Sequence, residues 1–172
     1  MGNPDHMSII LNGDVLSWNE WRINNLRVQP DLTRIDLRNR DLSGIDFRGV
    51  GLFKANLSGT KLNNAILRQA IAIKTNFKNA DLTGAFVYGI SAWDNIIDGS
   101  IQKDLVITEP KKPIITADNI QIAQFIHLLI NNKNIRDVIE TIGKKAILIL
   151  GRFTQERKDV LDAIRVSLRK RN

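Results

Sequence analysis

The sequence predicts a mainly β fold in which short extended segments wind into a stacked coil, with helices before and after it. Three observations support this prediction. Apolar residues recur at every fifth position from Leu32 to Ile97 without a slip in register. Small residues and glycines recur at fixed offsets from these positions. Both flanks instead space their apolar residues by three or four positions, as helices do.

The five-residue spacing matches neither a helix, whose period is 3.6, nor a strand, whose period is 2. All fourteen positions counted in fives from Leu32 are apolar, and ten of them are leucine or phenylalanine. The other four are Ala72, Val87, Ala92 and Ile97. We expect a structural core at the ten: Leu32, Leu37, Leu42, Phe47, Leu52, Leu57, Leu62, Leu67, Phe77 and Leu82.

The residues around each central position indicate how the chain turns. A small residue often lies two positions before the centre, as Ala55 and Ala65 do, so that it faces inward with the large one. Glycine often lies two positions after it, as Gly44 and Gly59 do, where a turn needs positive φ. Four such sides close a square coil of about 20 residues, and the coils stack about 4.8 Å apart.

The first coil departs from this pattern. Ile35, Ile45 and Val50 replace the small inward residue, which predicts a wider coil or an end. Arg40 holds the same position and cannot be buried without a partner. We expect its side to be distorted or open to solvent.

The segments "ANLSG", "TNFKN" and "ADLTG" match the pattern A-[DN]-L-X-X. Residues 30–99 thereby resemble the pentapeptide-repeat proteins. The resemblance implies a right-handed quadrilateral β-helix of about three and a half coils. Such a solenoid needs caps at its ends.

Ahead of the repeat, residues 1–6 read as an expression scar and are left out of the predicted fold, and residues 7–29 form an N-terminal cap. Within the cap we predict a helix over 14–25, with Asp14 as its N-cap. Trp18 and Trp21 would cover the first coil, the alternative being a platform on which nucleobases stack.

Beyond the repeat, we interpret residues 100–117 as an irregular linker containing Pro110 and Pro113. Residues 118–143 form a helical segment, with one helix over about 117–131 and a second ending at Gly143. The apolar face of the first helix is wide, so we expect burial on two sides. We interpret His127 on it as a partly buried, hydrogen-bonded residue, in preference to a metal ligand.

Residues 144–172 predict one β-α unit, a strand over 146–150 and a helix over 154–170. With the segments "VYGISAWD", "LVIT" and "IRDVIETI" before it, this unit resembles the junction between pentapeptide repeats and a TIR-like, flavodoxin-type domain in longer bacterial proteins. The resemblance implies nucleotide binding near Gly151, Arg152 and Phe153 if the whole domain is present. NAD cleavage by such domains needs a glutamate from a later helix, and no residue here matches it, so we predict no catalytic residue.

Composition narrows the chemistry further. The chain has 172 residues, no cysteine, two histidines and a net charge of +7. We therefore expect no disulfide, no metal site and no cofactor. The charge is −1 over residues 1–30, +2 over 31–100 and +6 over 101–172, so the basic excess lies after the repeat. No secretory signal or membrane-length apolar run is visible, and a cytoplasmic location is the expectation.

The favoured function is a non-catalytic scaffold for protein interaction and oligomerisation. We expect a homodimer, because an isolated parallel strand needs a partner. In a longer chain, the TIR-like resemblance implies an effector with NAD hydrolase activity. The alternatives are gyrase inhibition by DNA mimicry, disfavoured by the basic charge, and nucleic-acid binding through Arg165, Arg169, Lys170 and Arg171.

Several outward positions of the repeat are apolar. They lie either under the flanking segments or in an exposed patch for a partner or a second copy. The outward residues in question are Ile66, Ile71, Ile73, Phe86, Tyr88, Trp93 and Ile96. The interaction candidates are Phe86, Tyr88, Trp93, Ile147 and Ile149.

Overall fold

The computed structural model describes residues 2–135 and 137–142. The chain divides into two compact units, Met1–His127 and Leu128–Asn172. Its elements are α1 (Pro4–Asn12), α2 (Val15–Asn24), β1 (Leu105–Val106), β2 (Thr116–Ala117) and α3 (Ile120–Asn131). Residues 133–135 and 137–142 are also helical.

Between α2 and β2 the chain winds into a coil whose turns are joined by parallel bridges. Each bridge links residues 20 positions apart, from Asp31 with Gly51 to Phe86 with Val106. One turn therefore consists of four five-residue sides, as the sequence predicts. Each side contributes a single bridging residue, so neighbouring turns are joined by isolated parallel bridges and not by long strands.

We number the sides in chain order. Side 1 comprises residues 30–34, 50–54, 70–74 and 90–94. Side 2 comprises 35–39, 55–59, 75–79 and 95–99. Side 3 comprises 40–44, 60–64, 80–84 and 100–104. Side 4 comprises 45–49, 65–69 and 85–89.

The interior of the coil is built from one large and one small residue per side. The ten predicted core leucines and phenylalanines are at most 4% exposed. In the first coil Ile35 and Ile45 are buried in place of small residues, as is Val50 at the start of the second coil. Arg40 is half-buried, and its Nη1 donates to the carbonyl oxygen of Ile10 at 3.2 Å. Arg40 therefore finds a hydrogen-bond partner on α1, and its side chain is only partly open to solvent.

The corners of the coil use the left-handed backbone region. Each corner residue from Arg34 to Asp104 has positive φ. A Cβ built on Gly59 would lie 2.3 Å from Oδ1 of Asn39 in the preceding coil, whereas one built on Gly44 would meet nothing within 4 Å. Any larger residue at position 59 would therefore force the Asn39 side chain to move, whereas position 44 has room for one.

The first end of the coil is closed by α2, close to the predicted helix over 14–25. Asp14 is its N-cap, accepting from the Ser17 amide at 2.8 Å. Trp18 is fully buried, and its Nε1 donates to the carbonyl oxygen of Asp46 at 2.8 Å. Because its faces are covered, Trp18 cannot stack on a nucleobase, and that alternative is wrong.

The first helix, α1, was not predicted, because residues 1–6 were left out of the fold. Asn3 caps α1, and its amide donates to the carbonyl oxygen of Asp31 at 3.0 Å. The amide of Asp31 in turn donates to Nδ1 of His6 at 3.1 Å. This segment therefore forms part of the cap.

At the other end, the coil continues past residue 99, its predicted limit. Bridges reach Ile101 and Val106. The apolar period fails at Gln102, whose Oε1 accepts from the Ile120 amide at 2.8 Å and so caps α3. The Gln102 side chain thus joins the last coil to the first residue of α3.

The predicted irregular linker over 100–117 contains an antiparallel hairpin. Strand β1 pairs with β2, with Leu105 opposite Ala117. The prediction was wrong because Pro110 and Pro113 lie in the connection and leave the two strands free to pair.

Helix α3 begins at Ile120, and its predicted burial on two sides is wrong. Ile120, Ala123 and Gln124 are buried, but Ile122 and Phe125 are 54% and 53% exposed. The second predicted helix agrees with the helical residues 137–142. Gly143, the strand over 146–150 and the helix over 154–170 lie outside the described residues.

Candidate functional site

The four sides of the coil differ in what they present outward. Sides 2 and 3 carry mostly polar and charged residues at their outward positions, with Ile96 and Ile101 as exceptions in the last coil. Sides 1 and 4 carry apolar residues in successive coils. An interaction surface is therefore to be sought on sides 1 and 4.

Side 4 is covered by the chain itself. The Arg68 guanidinium lies 4.7 Å above the centre of the Phe86 ring. The Tyr88 hydroxyl donates to Glu109 at 2.7 Å, and this hydrogen bond raises the pKa of the tyrosine. The His127 ring meets Tyr88 edge-on at 4.6 Å. Phe86 and Tyr88, two predicted interaction residues, are thus half-buried, Phe86 under Arg68 of the same side and Tyr88 under Glu109 and His127 from beyond the coil.

Side 1 carries the second apolar column. Phe53, Ile73 and Trp93 occupy the same outward position in three successive coils, with Ile71 beside them. Trp93 is 54% exposed and Ile71 47%. We call these four residues the apolar ladder. It is the more open of the two apolar columns.

A column of cations runs along one edge of the apolar ladder. Arg34, Lys54 and Lys74 occupy the same corner of three successive coils, and all three are exposed. Nζ of Lys54 lies 5.4 Å from the centre of the Phe53 ring. Within residues 2–135 and 137–142, none of the three is in a salt bridge. We call Arg34, Lys54 and Lys74 the basic column.

The most buried carboxylate of the coil has a structural role. Both Nε and Nη2 of Arg48 donate to Asp46, the latter at 2.5 Å, and Nη2 of Arg22 donates to the Arg48 carbonyl oxygen at 2.6 Å. Burial raises the pKa of Asp46, but the hydrogen bonds and charge of Arg48 outweigh it and the net pKa is lowered. A carboxylate held ionised in this way is unsuited to proton transfer.

The carboxylates that precede the coil centres form a second electrostatic feature. Asp41 accepts from the Ser43 hydroxyl and amide, and these hydrogen bonds lower its pKa. Asp36 accepts from the Arg38 side chain and amide, with the same effect on its pKa. Both groups are exposed, so they shape each turn of the chain more than they stabilise the core.

These lowered pKa values predict a loss of stability in acid. A carboxyl with a lower pKa in the folded state stabilises the fold above the unfolded pKa, and this contribution disappears as pH falls through the folded value. The double variant Asp36→Asn/Asp41→Asn keeps the acceptor oxygen, as Asn56 does for the Ser58 amide at 3.2 Å. It should therefore lose less melting temperature than the wild type between about pH 5 and pH 2. Asp98→Asn is the control. An equal loss of melting temperature in acid for the double variant and for Asp98→Asn would contradict the stabilising role assigned to Asp36 and Asp41.

The described residues bring no set of metal ligands together. Among residues 2–135 and 137–142, no group of three or more histidines and carboxylates could hold a metal ion. No helix in this part of the chain has the length and apolarity to cross a bilayer.

The predicted interaction residues divide between two sides. Phe86 and Tyr88 are neighbours on side 4, and Trp93 lies on side 1. The remaining candidates, namely Ile147, Ile149, Gly151, Arg152, Phe153 and the basic residues from Arg165 to Arg171, lie outside the described residues.

Sequence reasoning missed Phe53, Lys54 and Lys74 as members of one surface. The available signal was a 20-residue spacing, which brings residues 53, 73 and 93 together and likewise 34, 54 and 74. The sequence prediction considered each outward apolar residue by itself, and the 20-residue spacing between them was therefore overlooked.

Comparison with known proteins agrees with the geometry of the coil. The family model described as Pentapeptide repeats matches residues 31–69 and 52–87, with eight copies. Residues 31–87 are pentapeptide repeats. Such proteins form right-handed β-helix solenoids, are generally non-catalytic and often have interaction or scaffold roles.

Three solved pentapeptide-repeat proteins are similar to this chain. Rfr23 from the cyanobacterium Cyanothece 51142 is 32% identical, with 42% of this chain and 60% of that chain covered and a TM-score of 0.29. HetL from Nostoc sp. strain PCC 7120, involved in heterocyst differentiation regulation, is 24% identical, with 50% and 39% covered and a TM-score of 0.28. A protein of the Arabidopsis thaliana thylakoid lumen is 23% identical, with 59% and 81% covered and a TM-score of 0.28.

The chain thus spans 60% of the length of Rfr23 and 39% of that of HetL. Among curated proteins, the search found no relative. The comparisons give no support to the TIR-like resemblance of residues 144–172.

Proposed function

We propose that this chain is a non-catalytic scaffold that binds protein through side 1 of its coil. The observation that carries the proposal is the apolar ladder, in which Ile71 and Trp93 are exposed, whereas Phe86 and Tyr88 in the corresponding column on side 4 are both half-buried. Large exposed apolar side chains in register are typical of interaction surfaces.

The construction of the coil supports binding over catalysis. Backbone hydrogen bonds join neighbouring coils on every side, as between the Leu57 amide and the Asn76 carbonyl oxygen at 2.8 Å. A surface held in this way is flat and rigid, so little conformational entropy is lost on binding. Trp93 in the ladder is the residue type most often found to dominate binding energy.

The finer parts of the proposal rest on the sequence. They are a cytoplasmic location, self-association, and a longer bacterial chain in which residues 144–172 begin a TIR-like effector domain. DNA mimicry of the gyrase-inhibitor type is not favoured, because a mimic needs an acidic surface and side 1 is edged by Lys54 and Lys74.

Site-specific crosslinking tests the use of side 1. Benzoylphenylalanine is placed at Trp93 on side 1 or, as the matched control, at Lys103, which is exposed at the same position of a side-3 pentad. We expect covalent protein adducts from position 93, and excess unlabelled wild type should suppress them. Excess of a Phe53→Ser/Ile73→Ser variant should not suppress these adducts. Adducts of equal yield from position 103, or none from position 93, would overturn the proposal.

A further inference from the structure

We propose that the partner of side 1 is the exposed face of α2 from a second copy of this chain. The inference rests on the proposed function and names the occupant of the same surface. Leu16, Glu20 and Ile23 lie at helical spacing on one face of α2, opposite the buried Trp18. Leu16 is 71% exposed and Ile23 63%. Glu20 is exposed and is in no salt bridge within the described residues.

The two apolar surfaces have matching lengths. Leu16 and Ile23 are seven residues apart on a helix, which corresponds to about 10 Å along its axis. Phe53 and Trp93 are two coils apart, which also corresponds to about 10 Å at the usual strand spacing. Leu16 can therefore contact the Phe53 end of the ladder while Ile23 contacts the Trp93 end.

The charges match in the same orientation. Along the corner of side 1 the sequence of charges is Arg34, Lys54, Lys74 and then Asp94. Along the exposed face of α2 it is Glu20, then Arg27 just after the end of the helix. With Leu16 at the Phe53 end, the Glu20 carboxylate faces the basic column.

The same orientation places Arg27 towards Asp94. The reversed orientation would set Arg27 against Arg34. Charge complementarity therefore selects one orientation.

A second copy fits better than the end of the same chain. Residues 143–172 are strongly basic and would be repelled by Lys54 and Lys74. The exposed apolar residues of α3 are Ile122, Phe125 and Ile130, and α3 carries no carboxylate that could face the basic column. Helix α2 offers both chemistries on one face, exposed apolar side chains and the Glu20 carboxylate. Each copy carries both surfaces, so two copies can dock reciprocally.

A mixing experiment tests this pairing. One variant carries Glu20→Lys, which damages α2 but leaves side 1 intact. The other carries Lys54→Glu/Lys74→Glu, which damages side 1 but leaves α2 intact. All three positions are exposed, so the fold should be retained, and thermal melting of each variant verifies this. Lys78→Glu, an exposed charge reversal on side 2, is the control.

We expect the mass of the wild type and of Lys78→Glu, measured by sedimentation over a concentration series, to rise above one chain of 19.4 kDa. Each damaged variant alone should associate at least about tenfold more weakly, because like charges then face each other. An equimolar mixture of the two should form a one-to-one complex, since one intact α2 meets one intact side 1. Added salt should weaken association of the wild type.

Three results would overturn the inference. They are a wild type that stays at the mass of one chain, association that the variants leave unchanged, and a mixture that fails to associate. If the chain is monomeric but Trp93 still crosslinks to a different protein, this inference fails while the proposed function stands. If neither assay depends on side 1, both fail.

Discussion

Replacing Trp18 with alanine is expected to lower the free energy of unfolding by about 3–5 kcal/mol. The indole is fully buried between α2 and the first coil, and its ring meets Phe47 edge-on with 5.7 Å between centroids. Its Nε1 also donates to the Asp46 carbonyl oxygen at 2.8 Å. Truncation therefore opens a cavity, removes a buried hydrogen bond and weakens the cap that protects the open edge of the coil.

Urea titration at neutral pH measures this effect, provided that unfolding is monitored by circular dichroism so that the lost indole does not bias the signal. Trp18→Phe separates the two contributions, because it keeps most of the ring but cannot donate to Asp46. We expect it to lose about 1–3 kcal/mol. Trp93→Ala is the matched control on the exposed surface and should change stability by less than about 1 kcal/mol. Equal losses for Trp18→Ala and Trp93→Ala would show that the cap does not stabilise the coil.

The coil was predictable because its information is local and periodic. A residue such as Leu57 repeats the environment of Leu37 one turn earlier, so the spacing alone specifies which side chains face inward. The cap helix was predictable for a similar reason, since Asp14 carries the sequence signal of an N-cap.

The ends of the coil were not predictable in the same way. The role of Gln102 depends on Ile120, which lies 18 residues later in the chain and whose amide donates a hydrogen bond to the Gln102 side chain. The packing of α1 depends on His6 meeting the Asp31 amide, 25 residues apart. Single contacts of this kind leave no periodic trace in the sequence.

The candidate surface was predictable in part. Sequence alone identified Trp93 as outward-facing and apolar, and the 20-residue spacing could have added Phe53 and the two lysines. It could not show that Tyr88 is covered, because that depends on Glu109 and His127 approaching from beyond the coil. Distinguishing an open apolar column from a covered one required the arrangement of the flanks.

Replacing Phe77 with alanine is expected to have an effect as large as that of Trp18→Ala, about 3–5 kcal/mol, for a different reason. Phe77 is fully buried in the third coil, in the column that continues Leu37 and Leu57. The backbone on both sides is fixed, since the Phe77 amide donates to the Ile96 carbonyl oxygen at 2.7 Å. The walls of the cavity therefore cannot collapse inward to fill it.

Phe77→Leu tests this explanation against a loss of aromatic packing alone. Leucine already occupies the same position in the first and second coils, so we expect Phe77→Leu to lose less than about 1.5 kcal/mol. Both variants are compared with the wild type by urea titration, and the slope of the transition verifies that the same surface is exposed on unfolding. Because a solenoid coil contacts only its neighbours, a cavity here can also uncouple the coils on either side of it. Phe77→Ala should then show a shallower transition, and a small loss with an unchanged slope would mean that the coils can close around the cavity.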